Sequence, residues 1–141
     1  AMLIKRRVIE EAGLMPEIFF LYYEELDWCT SMTRAGYELW YEPRCTVFHK
    51  ESRSTGQLSK TRAYYLTRNR LLYARRNLRS MRRAVSLVYL STVAVAKNAL
   101  SYLLQRRWDL AAEVCRATKD GWSPALREEI QSVTSPNPSQ P

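Results

Sequence analysis

Residues 60–83 contain neither Gly nor Pro, and Arg, Leu and Tyr make up most of the stretch. The two residues that disfavour helices most strongly are therefore missing, and the composition predicts a long α-helix. The following segment, residues 84–104, carries a single charge, at Lys97. At 1.5 Å per residue it would form a helix about 31 Å long, close to the thickness of a bilayer core.

Polar residues interrupt this apolar segment, and they argue against a membrane span. They are Ser86, Ser91, Thr92, Asn98 and Ser101. We therefore expect an amphipathic helix that lies at a membrane surface or packs on the domain. The arginine pairs at 82–83 and 106–107 flank the segment and suit anionic lipid head groups. A further amphipathic helix is predicted over residues 108–119.

Charge is distributed unevenly along the chain, whose net charge is +8. Residues 1–51 hold 6 basic and 9 acidic residues, residues 52–108 hold 13 basic and none acidic, and residues 109–141 hold 3 basic and 5 acidic. So long a cationic block predicts a polyanionic partner: nucleic acid, anionic lipid or a phosphorylated ligand.

Overall composition excludes three classes of protein. A hydrophobic fraction of 46% is too high for a disordered chain. The cysteines, Cys29, Cys45 and Cys115, are too few for a disulfide-stabilised mini-protein, and no C-x-x-C spacing suggests a zinc module. Free thiols fit a reducing compartment.

The first third of the chain predicts mixed α and β structure. Residues 1–4 are apolar and resemble an interior strand whose partner is missing, which suggests a piece of a longer protein. Short helices are expected over residues 6–12 and 26–35, ended by Gly13 and Gly36. Alternating residues 37–41 and the apolar run 45–48 predict strands.

An acidic cluster, Glu24, Glu25 and Asp27, follows five apolar or aromatic residues. Repulsion between like charges and burial both raise a carboxyl pKa, which would suit a general base. The alternative is an acidic first turn of a helix, with Asp27 as its cap. His49, the single histidine, ends an apolar run before a polar loop, where it is either structural or a metal ligand.

Five segments resemble, in order, motifs of family 2 glycosyltransferases. They are residues 1–13 with Met2-Leu3-Ile4; residues 19–29 with Glu24-Glu25-Leu26-Asp27; Arg34-Ala35-Gly36-Tyr37; His49 with Ser52, Ser54, Thr55 and Gly56; and Tyr64-Tyr65 with Arg68-Asn69 and Leu71. Together they cover about residues 1–75. The remaining helices resemble the C-terminal extension of rhamnosyltransferase-like members.

The resemblance implies an α/β fold, the C-terminal half of a GT-A catalytic domain over residues 1–58. A basic, amphipathic helical extension would occupy residues 59–131, and residues 132–141 would form a disordered tail. The nucleotide-binding half with its D-x-D metal motif would precede residue 1, and no D-x-D occurs in this chain. We therefore expect the chain to be inactive without that half.

The resemblance also implies a hexosyltransferase for cell-envelope polysaccharide biosynthesis. It would transfer a sugar, with inversion, from a nucleotide-sugar donor to a saccharide or lipid-linked acceptor, as a peripheral protein on the cytoplasmic face of the membrane. Glu25 would be the general base, where Asp is usual, beside Glu24 and Asp27. His49 would bind a divalent metal, Mg²⁺ or Mn²⁺.

The remaining site residues are expected to bind substrate. Arg53 and Arg68 would stabilise the diphosphate leaving group. Trp28, Trp40 and Tyr41 would stack on sugar faces, and the alternative for these aromatic residues is core packing. Two other functions fit the charge distribution: a helical module that binds nucleic acid, and a non-catalytic module that binds an anionic membrane.

Overall fold

The computed structural model describes residues 2–48, 59–126 and 130, and within these ranges the regular structure is helical throughout. Six α-helices lie wholly within these ranges: α1 (Arg6–Ala12), α2 (Glu24–Arg34), α3 (Lys60–Asn77), α4 (Ser80–Tyr89), α5 (Val95–Leu104) and α6 (Trp108–Gly121). Residues 124–126 and 130 are also helical. A 3₁₀ turn, Glu17–Phe19, precedes α2, and a π-helical segment, Leu90–Ala94, joins α4 to α5. We call the continuous element Ser80–Leu104 the long helix.

The predicted α/β fold is wrong. No strand occurs in the described ranges, and residues 37–41 and 45–48 have no regular secondary structure there. Trp40 and Tyr41 are each 87% exposed, so the alternating pattern has no sheet on which to pack. The core-packing alternative is wrong for these two residues as well. The expected domain boundary at 58/59 falls at the edge of a described range, and the boundary at 131/132 and the tail at 132–141 fall outside the described residues. All three stay predictions.

Local sequence explains where most helices begin and end. Gly13 and Gly36 follow α1 and α2 with φ values of 82° and 90°, a conformation that favours glycine. The hydroxyl of Ser59 accepts a hydrogen bond from the Arg62 backbone N–H at 3.1 Å and caps α3. The helix predicted over 60–83 is interrupted at Leu78, whose ψ of 152° separates α3 from α4.

The main core lies between α3 and α6. Ala63 of α3 packs with Leu110 and Val114 of α6. Farther along, Gly121 approaches α3 so closely that a Cβ atom there would lie 2.8 Å from Leu71 Cδ1. The Tyr64 hydroxyl donates a hydrogen bond to Asp120 at 2.8 Å, and burial is the main reason that the pKa of Tyr64 is raised.

A second cluster joins α1 to α2. Val8, Trp28 and Met32 are buried together, and the Trp28 indole N–H donates to the Gly13 carbonyl at 2.8 Å. This small unit is tied to α3 by the hydrogen bond between the Thr30 and Tyr73 hydroxyls, 2.9 Å long. This contact places the second half of α2 against the C-terminal part of α3.

Candidate functional site

The turn before α2 has an unusual backbone. Phe20, Tyr22 and Tyr23 have φ values of 61°, 66° and 75°. Bulky side chains rarely adopt positive φ, and each such residue costs about 1–3 kcal/mol unless its surroundings enforce it. Strained residues of this kind cluster at functional sites. We call residues 20–25 the acidic corner.

Asn69 of α3 holds this turn in place. Its fully buried side-chain nitrogen lies 2.7 Å from the carbonyl oxygens of Phe19 and Leu21 and 2.9 Å from that of Tyr22. Arg68 adds a hydrogen bond from Nη1 to the Ile18 carbonyl at 3.2 Å. Asn69 was not among the site residues predicted from the sequence. A polar amide on the apolar side of a predicted helix was the signal that could have found it.

The three acidic residues have different surroundings. Glu25 is exposed in the first turn of α2, and Glu24 is half-buried with its Oε2 atom unpartnered among the described residues. Asp27 is completely buried, where Arg76 Nε lies 3.1 Å from Oδ2 and Asn77 Nδ2 donates to Oδ1 at 2.5 Å. Asp27 therefore connects α2 to the end of α3.

The alternative reading of the acidic cluster as a helix start is correct only in part. All three carboxylates lie in the first turn of α2, where they favour the positive end of the helix dipole. However, no side chain caps α2, so Asp27 is not the cap that the sequence suggested. Its side chain points to α3 instead.

Two further predicted site residues, Trp28 and Arg68, are held by contacts within the protein. Trp28 lies in the core between α1 and α2 and is not free to stack on a sugar. The Arg68 guanidinium contacts the Ile18 carbonyl and the Asn69 side chain. His49 and Arg53 lie outside the described residues, so their predicted roles as metal ligand and diphosphate contact stay predictions.

The described part of the chain contains no set of ligands for a divalent metal. There, no group of three His, Cys, Asp or Glu side chains could hold an ion. Asp27, the most buried carboxylate, is already engaged by Arg76 and Asn77. The described residues therefore do not fit a metal ion.

A second candidate site is the outer surface of the long helix. Apolar side chains exposed to solvent recur along it at helical spacing. They are Met81, Val85, Val88, Tyr89, Val93, Leu100 and Leu104, and we call them the apolar face. Val88 is 64% and Leu104 78% exposed. The helix is long and apolar enough, by length and composition alone, to cross a membrane, and only 11% of its most apolar window is buried.

The opposite side of the long helix packs on the protein. Leu87 is buried with Leu71 and Ala74 of α3. At the other end, Tyr102 packs against Leu110 and Val114 in the core. One side of this helix is therefore held by the domain, and the other is exposed to solvent.

Cationic side chains lie along the long helix and just beyond its two ends. Arg79, Arg82, Arg83, Lys97 and Arg106 are all exposed. None of the five forms an ion pair with a carboxylate of the described residues. Arg107, in contrast, pairs with Asp109 at 3.1 Å, and this hydrogen bond lowers the pKa of Asp109.

Comparison with known proteins found no family model, no curated protein and no solved structure that the chain matches. The resemblance to family 2 glycosyltransferases is therefore not supported. The all-helical architecture of the described residues also disagrees with a GT-A domain, which has an α/β fold with a β-sheet. The identification from short motifs was wrong, because motifs of this length can occur in order without a shared fold.

Proposed function

We propose that this chain associates with anionic membranes through the apolar face of the long helix. The observation that carries the proposal is the combination of an exposed apolar stripe with arginines at both ends that pair with no carboxylate in the described part of the chain. Amphipathic helices with this arrangement lie in the membrane interface, with the apolar side in the acyl region and basic residues at the head groups.

The contacts of the long helix favour a position in the interface over a span. Leu87 and Ala94 are buried against the domain, so lipid cannot surround the helix on all sides. Ser91 on this helix also accepts a hydrogen bond from the Trp122 indole at 2.9 Å. A helix held along one side by protein can insert only its outer side.

Both kinds of side chain contribute to the expected affinity. Apolar surface moved out of water contributes about 25 cal/mol per Å². Each basic residue close to an anionic surface adds about 1 kcal/mol. Binding should therefore require anionic lipid and weaken as salt screens the arginines.

Flotation with vesicles tests the proposal. We expect the chain to float with vesicles of phosphatidylcholine and phosphatidylglycerol, to float less at high salt, and to stay at the bottom with pure phosphatidylcholine. Failure to float with the anionic vesicles would contradict the proposal. If the chain binds neither kind of vesicle but binds DNA with a steep dependence on salt, the nucleic-acid-binding function is favoured instead.

As a second candidate function, we propose that the acidic corner takes part in sugar transfer. The observation that favours it is the run of positive-φ residues, Phe20, Tyr22 and Tyr23, immediately before Glu24 and Glu25. Strain that is enforced by a buried amide such as Asn69 is often retained for a functional reason.

In this candidate function Glu25 accepts the proton of an acceptor hydroxyl. The hydroxyl oxygen forms a bond to the anomeric carbon of a nucleotide-sugar donor, and the bond from that carbon to the nucleoside diphosphate breaks. Exposure of Glu25 is compatible with contact to an acceptor. Turnover of nucleotide sugars by the chain, measured as release of nucleoside diphosphate, tests the proposal.

A further inference from the structure

An apolar groove lies between α2, α3 and the first half of the long helix. Its volume is about 310 Å³, at the lower end of the range for ligand sites. Leu26, Tyr73, Leu78 and Leu90 supply much of its apolar lining. A space of this size and character suits a hydrocarbon chain better than a polar head group or a sugar.

One cation lies in the wall of the groove. Arg70 lines it, and its Nε donates a hydrogen bond to the Tyr23 hydroxyl at 3.3 Å. Within the described ranges no carboxylate forms an ion pair with Arg70. An arginine that no acid neutralises, placed beside an apolar groove, complements a ligand that joins an anion to a hydrocarbon chain.

The groove is continuous with the apolar face. Tyr89, which is exposed on that face, and its neighbour Leu90 both line the groove. If the long helix lies in a membrane interface, the groove opens at the depth where lipid chains and phosphates meet. The inference therefore rests on the proposed membrane association.

We propose that this groove binds one hydrocarbon chain of a phosphate-headed lipid, with the Arg70 guanidinium contacting the phosphate. A bilayer phospholipid and a polyprenyl phosphate share this chemistry. The ligand is thus defined by a chain and a phosphate together, and neither part alone should bind comparably.

Calorimetric titration of the full chain with soluble probes tests the groove. Dodecyl phosphate, below its micelle concentration, should bind in a ratio of one per chain. Dodecyl maltoside, which has the chain without the phosphate, and inorganic phosphate should each bind at least about tenfold more weakly. Equal binding of dodecyl phosphate and dodecyl maltoside would overturn the role of Arg70.

Two variants locate the site. Ser86 lines the groove, and Ser86→Trp should fill it and weaken dodecyl phosphate binding by about tenfold or more. Ser101→Trp, an exposed position on the same helix, is the matched control and should bind as the parent does. Arg70→Gln should reduce binding of dodecyl phosphate to the level of dodecyl maltoside. Parent-like affinity in Arg70→Gln would overturn the proposal, even if Ser86→Trp failed to fold.

The same variants separate this inference from the membrane proposal. Ser86→Trp retains the apolar face and should still float with anionic vesicles. A parent chain that binds dodecyl phosphate without floating would leave the groove intact and remove the membrane proposal. Native mass spectrometry after incubation with phosphatidylglycerol and a polyprenyl monophosphate identifies the source, since either adduct supports the site and the absence of both contradicts it.

Discussion

The buried side-chain amide of Asn69 donates a hydrogen bond to the backbone carbonyl of Leu21, with 2.7 Å between nitrogen and oxygen. The same nitrogen also contacts the carbonyls of Phe19 and Tyr22. A single residue of α3 thereby stabilises a turn whose residues would not adopt this backbone conformation by themselves. This relationship makes the turn dependent on α3.

Asn69→Leu should destabilise the fold by about 2–3 kcal/mol, because it leaves buried carbonyl groups without a donor. Urea denaturation followed by circular dichroism measures the change. Asn98→Leu is the matched control, because Asn98 is half-buried on the long helix and donates no side-chain hydrogen bond to any described residue. Equal stability of the two variants would show that Asn69 does not hold the turn.

Asp27→Asn should cost about 3–5 kcal/mol in free energy of unfolding. The substitution leaves Arg76, whose side chain is only 12% exposed, without its charged partner. The double variant Asp27→Leu with Arg76→Met should recover most of this loss, since a matched apolar pair removes both buried charges. A double variant no more stable than Asp27→Asn would contradict an ion pair between α2 and α3.

The hydrogen bond from the Tyr37 hydroxyl is the main reason that the pKa of Glu11 is lowered, and a hydrogen bond from Arg7 lowers it further. Tyr37→Phe should therefore raise the pKa of Glu11. A lowered folded pKa stabilises the protein above the unfolded value of 4.5 and loses that effect as pH falls through the folded pKa. NMR titration of the Glu11 carboxyl measures the shift. Tyr41→Phe, at an exposed tyrosine, should leave the Glu11 pKa unchanged.

Val88→Asp should weaken partitioning onto anionic vesicles by about tenfold or more, because an apolar contact is replaced by a charge of the wrong sign. Thermal stability should change little, since Val88 is exposed. Leu14→Asp introduces the same charge at an exposed residue outside the apolar face and should float normally. Similar partitioning of both variants would exclude the long helix as the contact surface.

Glu25→Gln should abolish any release of nucleoside diphosphate that the parent chain shows with nucleotide sugars, because the amide cannot accept the acceptor proton. Glu38→Gln provides the control at another exposed glutamate. Both variants should melt at the parent temperature. Full turnover in Glu25→Gln would remove this residue as the general base.

Sequence patterns located the helices well where local signals act alone. The predicted helix over 6–12 matches α1, and the prediction for 108–119 falls within α6. Gly13 and Gly36 end their helices through positive φ, as expected. These features depend on a few neighbouring residues, so they can be recognised without knowledge of the rest of the fold.

The wrong predictions concern features that depend on distant partners. Alternation over residues 37–41 is typical of a strand, yet a strand requires a neighbouring strand, and none is present among the described residues. The interruption at Leu78 follows Asn77, whose side chain bonds Asp27 and whose carbonyl accepts from Arg34. Residues 60–83 alone contain no signal that predicts a contact with α2.

The close approach of Gly121 to Leu71 sets the distance between α3 and α6, and it is possible because glycine has no Cβ atom. Leu71 is buried, and a Cβ atom at position 121 would also lie 3.2 Å from the Leu71 Cβ, which side-chain rotation cannot move. One helical turn farther along α3, Arg75 donates a hydrogen bond to the carbonyl of this same glycine. A methyl group at position 121 would therefore push α3 and α6 apart. The apolar packing against Leu71 and the hydrogen bond from Arg75 would be lost together.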